Sequence, residues 1–368
     1  MALAALQINR VRNLRKVELQ GFEGVNVLYG LNGSGKTSVL EAIHLLGMAR
    51  SFRGNSVKSL ITHGENDCTV FGSSERSSET QALALGVQRT RVGEARIKVG
   101  GEPVRTVAAL AEHLPLQVIT AESFDLLTGA PGARRRYLDW GVFHVEQRFF
   151  GQWKRFQRCI KQRNNLLRRG KVSGGELEAW TRDLAQTGTA INEYREAYFE
   201  ALQPVFSEII AQLSPSLAGL ELRYQRGWDK QLGYAEALAQ GLVADEEHGY
   251  THTGPQRADI RVMSGAYAAA DILSRGQQKL AVCALKLSQG QILAQKGHVS
   301  STYLIDDLPS ELDQVHSKRV CDLLATMEAQ VFITCIDPRE IRSVWPESHD
   351  LAMFHVEQGS VEPRSDAQ

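Results

Sequence analysis

One octapeptide constrains this chain more than any other feature. Gly30-Leu31-Asn32-Gly33-Ser34-Gly35-Lys36-Thr37 satisfies G-x-x-x-x-G-K-[ST] at every fixed position. The run before it, Val25-Asn26-Val27-Leu28-Tyr29, is rich in β-branched residues and reads as a buried strand. After it Val39, Leu40, Ile43 and Leu46 fall at helical spacing, and Gly47 sits near the expected helix end. Strand, glycine-rich loop and helix in that order make a phosphate cradle. Glycine permits the left-handed backbone that turns successive N–H groups towards phosphate oxygens. Lys36 offers a compact charge to the β- and γ-phosphates, Thr37 a hydroxyl to Mg²⁺, and the helix its positive end. A plain glycine-rich turn would require neither the lysine nor the hydroxyl. Gly30 to Thr37 are therefore expected to bind a nucleoside triphosphate.

A second feature completes such a site. The apolar strand Tyr303-Leu304-Ile305 ends in Asp306-Asp307. Two neighbouring carboxylates at a buried strand end are costly without a cation. Asp306 is expected to hold Mg²⁺, directly or through water, and Asp307 to orient or deprotonate the attacking water. A solvated strand-to-turn junction is the plainer alternative. Asp313 follows, within Ser310-Glu311-Leu312-Asp313. Upstream, Leu273-Ser274-Arg275-Gly276-Gln277-Gln278-Lys279 leads into a helix carrying Leu280, Cys283, Ala284 and Leu287. Serine and glycine at a helix start form an anion-binding feature, although Ser274 alone is an ordinary N-cap. One chain needs only one phosphate loop for its γ-phosphate. Ser274, Arg275, Gly276 and Gln277 are thus expected to cap the nucleotide of a second copy in a two-fold dimer.

At 368 residues the chain is long enough for two domains or more. Its 43% hydrophobic and 23% charged residues suit a soluble globular protein. No stretch approaches a transmembrane helix, and Ala2 to Leu6 makes a poor signal peptide but a good first strand. Five scattered cysteines (Cys68, Cys159, Cys283, Cys321, Cys335) argue for a reducing compartment, the cytoplasm, and against a disulfide scaffold or structural zinc. The charges cancel, 42 basic against 42 acidic, which gives no global support to nucleic-acid binding. Locally they segregate. Residues 134–171 hold nine Arg (134, 135, 136, 148, 155, 158, 163, 168, 169) and three Lys (154, 161, 171) against Asp139 and Glu146, a net +10. Residues 301–340 carry eight acids against three bases.

Residues from about Phe124 to Leu213 read as helical, punctuated by Pro131, Gly170 and Gly174-Gly175. Their basic portion is either a solvated face or, as the imbalance favours, a surface for the DNA backbone that reads no sequence. Trp153 and Phe156 are expected in the core. Short strands are expected over 68–104 with a hairpin at Gly100-Gly101, near Leu220–Tyr224 and at Val331–Ile333, with a frayed tail from Gly359.

The phosphate loop, Leu273-Ser274-Arg275-Gly276-Gln277, Asp306-Asp307 and Ser310 to Asp313 together resemble the ABC-type ATPase head, and within it the RecF family of recombinational DNA repair proteins. Two further segments carry the resemblance over essentially the whole chain. Glu122-Ser123-Phe124-Asp125-Leu126-Leu127-Thr128-Gly129-Ala130-Pro131 running to Arg134-Arg135-Arg136-Tyr137-Leu138-Asp139 is one; Gly254-Pro255-Gln256-Arg257-Ala258-Asp259 is the other. Arg12-Asn13-Leu14 is similar to the family's N-terminal strand. Three positions depart from pattern. Ala121 replaces a proline, Asp307 stands where transporter ATPases have glutamate, and Thr334 stands where a switch histidine would follow its strand, so slow hydrolysis is expected. No Q-loop glutamine is assigned.

The resemblance implies an α/β fold: an ABC-type, Rad50/SMC-head-like P-loop ATPase domain from 1–122 and 214–368, with an inserted mainly helical arm at 123–213 and no long coiled coil. It implies ATP and Mg²⁺ as cofactors, Lys36 and Asp307 as catalytic residues, and Thr37 and Asp306 at the metal. It further implies an ATP-dependent homodimer, a weak DNA-stimulated ATPase, and binding to double-stranded DNA and single-strand/duplex junctions. RecR and RecO are the implied partners in loading RecA, with no membrane role. A transporter ATPase would share the head but lack the insert; a P-loop kinase would not need Leu273 to Gln277.

Overall fold

The computed structural model describes residues 2–54, 56–75, 82–170, 174–297 and 299–364. Its strands are β1 (Ala2–Val11), β2 (Leu14–Gln20), β3 (Val25–Tyr29), β4 (Asp67–Glu75), β5 (Leu83–Thr90), β6 (Ala95–Val99), β7 (Glu102–Val104), β8 (Leu116–Ile119), β9 (Leu220–Gln225), β10 (Asp259–Ser264), β11 (Tyr267–Ala268), β12 (Thr302–Ile305), β13 (Gln330–Cys335), β14 (Leu351–Glu357) and β15 (Ser360–Arg364). The principal helices are α1 (Lys36–Met48), α2 (Pro131–Val145), α3 (Phe149–Arg169), α4 (Gly174–Leu213), α5 (Arg275–Ile292) and α6 (Gln314–Thr326). The chain divides into two compact units.

The first unit comprises Met1–Phe124, Gln212–Ser214 and Val282–Gln368. It contains an antiparallel sheet in the order β2-β1-β4-β5-β6-β7 and a second sheet in the order β15-β14-β3-β13-β12-β8. In the second, β14, β3, β13, β12 and β8 run parallel, and β15 closes the edge antiparallel. Parallel strands are covered on both faces, which is why β12 and β13 are buried at every residue. Helix α1 is buried from Ser38 through Gly47, and its apolar side chains share one core with residues of both sheets. A helix buried on all sides shows little amphipathicity. Gly47, expected near the helix end, is the residue before its last; a Cβ there would sit 2.6 Å from Leu116 Cδ1. The helix ends at Met48 and is capped by Ala49, in the left-handed region at φ 50°. The tail expected to fray from Gly359 forms β15. Gln358 and Gly359 turn the chain with φ of 48° and 83°, and Val361 is buried.

The second unit comprises Asp125–Ala211 and Pro215–Ala281. Helices α2, α3 and α4 are joined by a small antiparallel sheet, β11-β10-β9. Pro131 opens α2 at its first turn and Gly170 ends α3 at φ 69°. Residues 215–281, expected with the ATPase head, belong to this unit instead because β9, β10 and β11 pair with one another and anchor to the helices. Tyr224 Oη donates to Asn192 Oδ1 at 3.0 Å, and Arg195 Nη1 donates to the Pro255 carbonyl at 2.8 Å. Arg134 forms a two-pronged bond with Asp259 at 2.7 and 3.0 Å.

Among the described residues no helix is long and apolar enough to cross a membrane. All five cysteines are buried, and none is in a disulfide.

Candidate nucleotide site and basic helix face

The loop after β3 is shaped by its neighbours. A Cβ on Gly30 would lie 2.3 Å from the Val356 carbonyl oxygen, and one on Gly35 would lie 2.9 Å from Asn13 Nδ2. Gly30, Gly33 and Gly35 take φ of 145°, 79° and 123°, so all three need glycine's backbone freedom, and Gly30 and Gly35 need its missing Cβ as well. Lys36 Nζ folds back across the loop and donates to the carbonyls of Gly30 (2.6 Å) and Leu31 (3.0 Å). The first turn of α1 holds no acid, leaving its positive end available to an anion. Ser34 Oγ is buried without a hydrogen-bond partner.

The distant acids arrive by strand order. Because β12 lies next to β13, and β13 next to β3, Asp306 reaches the start of α1. Thr37 Oγ1 donates to the Asp306 carboxylate, 3.0 Å from Oδ1 and 3.2 Å from Oδ2. Asp307 adopts a left-handed conformation, φ 56° and ψ 48°. Its N–H donates to Thr334 Oγ1 at 2.8 Å, and that hydroxyl donates to Asp306 Oδ1 at 2.8 Å. One carboxylate and one hydroxyl are a hard-oxygen set that suits Mg²⁺, which takes its other ligands from phosphates and water. No cluster of three or more His, Cys, Asp or Glu able to hold a metal occurs among the described residues, so a metal here would need ligands beyond protein carboxylates. Asp313 is used differently. It caps α6, accepting from His316 N at 2.9 Å and paired with His316 Nδ1 at 2.6 Å. The backbone and side-chain bonds from His316 hold its carboxyl below the usual range.

Two supports lie outside the motif. Asn13, in the β1–β2 turn, donates to the Ser34 carbonyl at 3.0 Å and accepts from Ser38 Oγ at 2.8 Å. Gly359 N, in the β14–β15 turn, donates to the same carbonyl at 2.9 Å. Arg12 forms a two-pronged bond with buried Glu41, 2.7 Å on each arm, and that bond raises the guanidinium pKa. Family similarity marks Arg12 and Asn13; nothing local in the sequence marks Gly359 as a loop support.

Ser274 to Gln277 lie in the second unit. Ser274, Arg275 and Gly276 are exposed. Ser274 and Gln277 form a reciprocal capping box: Ser274 N donates to Gln277 Oε1 at 3.0 Å, and Gln277 N donates to Ser274 Oγ at 3.4 Å.

The basic segment separates into interior and surface. Arg163 is fully buried, donating to Asp245 Oδ2 and Thr251 Oγ1 at 2.7 Å each. Arg134 is taken up by Asp259, and Arg135 donates to the Ala258 carbonyl at 2.9 Å. The two family-like stretches, around Arg134 and around Pro255, are thus each other's partners. Arg148 and Arg155 pair with Glu146 and Asp183. Lys154, Arg158, Lys161 and Arg168 are exposed and fall on one face of α3 at positions i, i+4, i+7 and i+14. Arg158 stacks over Trp180. Lys171 lies outside the described residues. Phe156 is in the core and Trp153 is half-buried.

Comparison with known proteins agrees with this geometry. Residues 2–362 match the family described as RecF/RecN/SMC N terminal domain. The "DNA replication and repair protein RecF" of Pseudomonas fluorescens Pf-5 is 49% identical over 361 residues, covering 98% of each chain. That of Pseudomonas entomophila L48 is 50% identical over the same length and coverage. The solved "recombination mediator protein RecF-ATP in RecFOR pathway" superposes with a TM-score of 0.84 at 27% identity, covering 99% of this chain and 97% of that one. The Smc head domain from Pyrococcus furiosus, at TM-score 0.59 and 16% identity, shares the fold. The ABC-type ATPase head is therefore the fold of this chain, and the chain belongs to the RecF family of DNA replication and repair proteins.

Proposed function

We propose that the chain is an ATP-switched clamp on duplex DNA in recombinational gap repair. The observation that carries the reading is the bond from Thr37 to Asp306, 269 positions apart in sequence, beside the loop of Lys36. ATP binds along Gly30 to Thr37, where Lys36 exchanges its two loop carbonyls for phosphate oxygens. Thr37 and Asp306 would hold Mg²⁺, which would supply positive charge against the phosphates. Asp307 orients the attacking water. It is one methylene shorter than glutamate, and Thr334 cannot bring a positive charge to the γ-phosphate, so turnover is slow.

Two chains close over two nucleotides, Ser274, Arg275, Gly276 and Gln277 of each meeting the γ-phosphate bound by the other. The capping box leaves Ser274 able to accept that role, because a serine hydroxyl both accepts and donates. The row Lys154, Arg158, Lys161 and Arg168 meets the DNA backbone. Hydrolysis, stimulated by DNA, reopens the clamp. The relative titled as a recombination mediator in the RecFOR pathway supports work with RecR and RecO in loading RecA beside gaps. A cytoplasmic setting fits the DNA replication and repair role of the relatives.

The test is DNA affinity with and without ATP on duplex, single-stranded and gapped substrates. ATP should tighten duplex and gapped binding for the parent chain and change nothing for Lys36→Ala. Affinity indifferent to nucleotide in the parent would contradict the reading.

A further inference from the structure

Thr334 stands at the end of β13, where the resemblance to ABC-type ATPase heads points to a switch histidine. Its side chain does something else. Thr334 is fully buried, and its hydroxyl is spent inward on both acids at once. It donates to Asp306 Oδ1 and accepts from Asp307 N, each at 2.8 Å. A hydroxyl has one proton to give and lone pairs to accept with, so both bonds form together. Valine, which fits a buried strand equally well, could make neither.

The two bonds act on different properties of the site. The bond to Asp306 occupies one lone pair of the oxygen nearest Thr37, which fixes the rotation of the carboxylate that Thr37 also contacts. The bond from Asp307 N holds a non-glycine residue in the left-handed region, φ 56°. Aspartate tolerates that region better than most residues but does not prefer it. Released, Asp307 would relax to an ordinary backbone conformation and its carboxylate would point elsewhere. A further bond, Asp306 N to the Ile119 carbonyl at 3.0 Å, extends the β12–β8 pairing and leaves the Thr334 hydroxyl as the link that spans both acids.

We propose that Thr334 is a positioning residue for ATP hydrolysis: its hydroxyl sets the Asp306 carboxylate towards the metal position and locks the left-handed backbone that aims Asp307. This rests on the reading of the site as an ATPase. A position that would otherwise sense the γ-phosphate from outside is here built into the acidic strand end from within.

The experiment compares Thr334→Val, Thr334→Ala and Thr334→Ser in the full-length chain. Three quantities are read: phosphate release at saturating ATP, the Mg²⁺ concentration for half-maximal rate, and ATP binding in excess chelator. Val and Ala should lower the rate by about tenfold or more and raise the Mg²⁺ requirement by about threefold or more. ATP binding in chelator should stay within about twofold, because the loop and Lys36 are untouched. Ser, which restores only the hydroxyl relative to Ala, should recover the rate to within about threefold of the parent. The Ala–Ser pair keeps the test decisive even where Val packs badly. Parental rates and Mg²⁺ dependence in Ala would overturn the proposal, as would a Ser variant as slow as Ala. Absence of phosphate release from the parent itself would instead overturn the ATPase reading on which it stands.

Discussion

Asn13 reaches from the β1–β2 turn to donate a 3.0 Å hydrogen bond to the carbonyl of Ser34, in the middle of the phosphate loop. The same carbonyl accepts from Gly359 N at 2.9 Å, so the loop is held from the two ends of the chain. Asn13→Ala removes one support and frees Ser38 Oγ as well. Its ATP affinity should fall about tenfold, the ~1.4 kcal/mol of one good hydrogen bond. Asn13→Asp should do worse, since a carboxylate would face a carbonyl. Gly359→Ala should lower thermal stability and ATP affinity together, because a Cβ there would lie 2.3 Å from the Asn13 carbonyl oxygen at φ 83°. Calorimetric titration with ATP checks all three; unchanged affinities would mean that the loop holds its own shape.

Ser274 has two roles to separate. Ser274→Ala should cost about 1 kcal/mol of stability through loss of the cap. It should also spare ATP binding and abolish ATP-dependent dimerisation. Ser274→Asp retains a good cap but sets a negative charge towards the partner's phosphates. It should keep the stability and still lose the dimer. Chemical denaturation and sedimentation of both variants decide this. A dimer that forms normally with Ser274→Asp would show that the residue is a cap alone.

Replacing Lys154, Arg158 and Lys161 with alanine should weaken duplex binding and flatten the plot of log affinity against log salt, by about 0.9 for each phosphate no longer neutralised. Folding should be little changed, since these side chains are exposed. Arg163→Leu should behave in the opposite way. It takes the guanidinium away from buried Asp245, whose other oxygen keeps only His252, and should cost about 3 kcal/mol of stability. A salt slope unmoved by the triple change would place DNA elsewhere.

Acid should loosen the first unit through His44. Burial is the main cause that lowers its pKa to about 4, while the neutral ring donates from Nδ1 to the Arg50 carbonyl at 2.7 Å. The unfolded chain takes up this proton first, near pH 6.5. The stability contributed by neutral His44 is complete above that pH and is lost as pH falls towards 4, at most about 3 kcal/mol. Denaturant midpoints of His44→Gln should therefore change less than the parent's between pH 7 and 5; parallel curves would argue against it.

The phosphate loop was legible because its chemistry is local: eight consecutive residues carry the shape and the charge. Asp306 and Asp307 stand out in the sequence for a related reason: two acids at the end of an apolar strand are costly without a counter-charge. The supports do not. Asn13 and Gly359 meet Ser34 only because strand order brings both turns to one loop, and no residue spacing encodes that. Net charge misled in a similar way. Arg134, Arg135 and Arg163 add to the basic sum of 134–171, yet burial turns them inward to Asp259, Ala258 and Asp245. Residues 215–281 read as a return to the head because β-strand patterning does not say which sheet a strand joins.

The most direct test of the nucleotide switch is sedimentation of the full-length chain with Mg²⁺ and either ATP or ADP, with and without duplex DNA. A monomer in ADP and a dimer in ATP, stabilised further by duplex and absent in Lys36→Ala, is the expected result. A monomer at saturating ATP, with duplex present, would contradict the clamp.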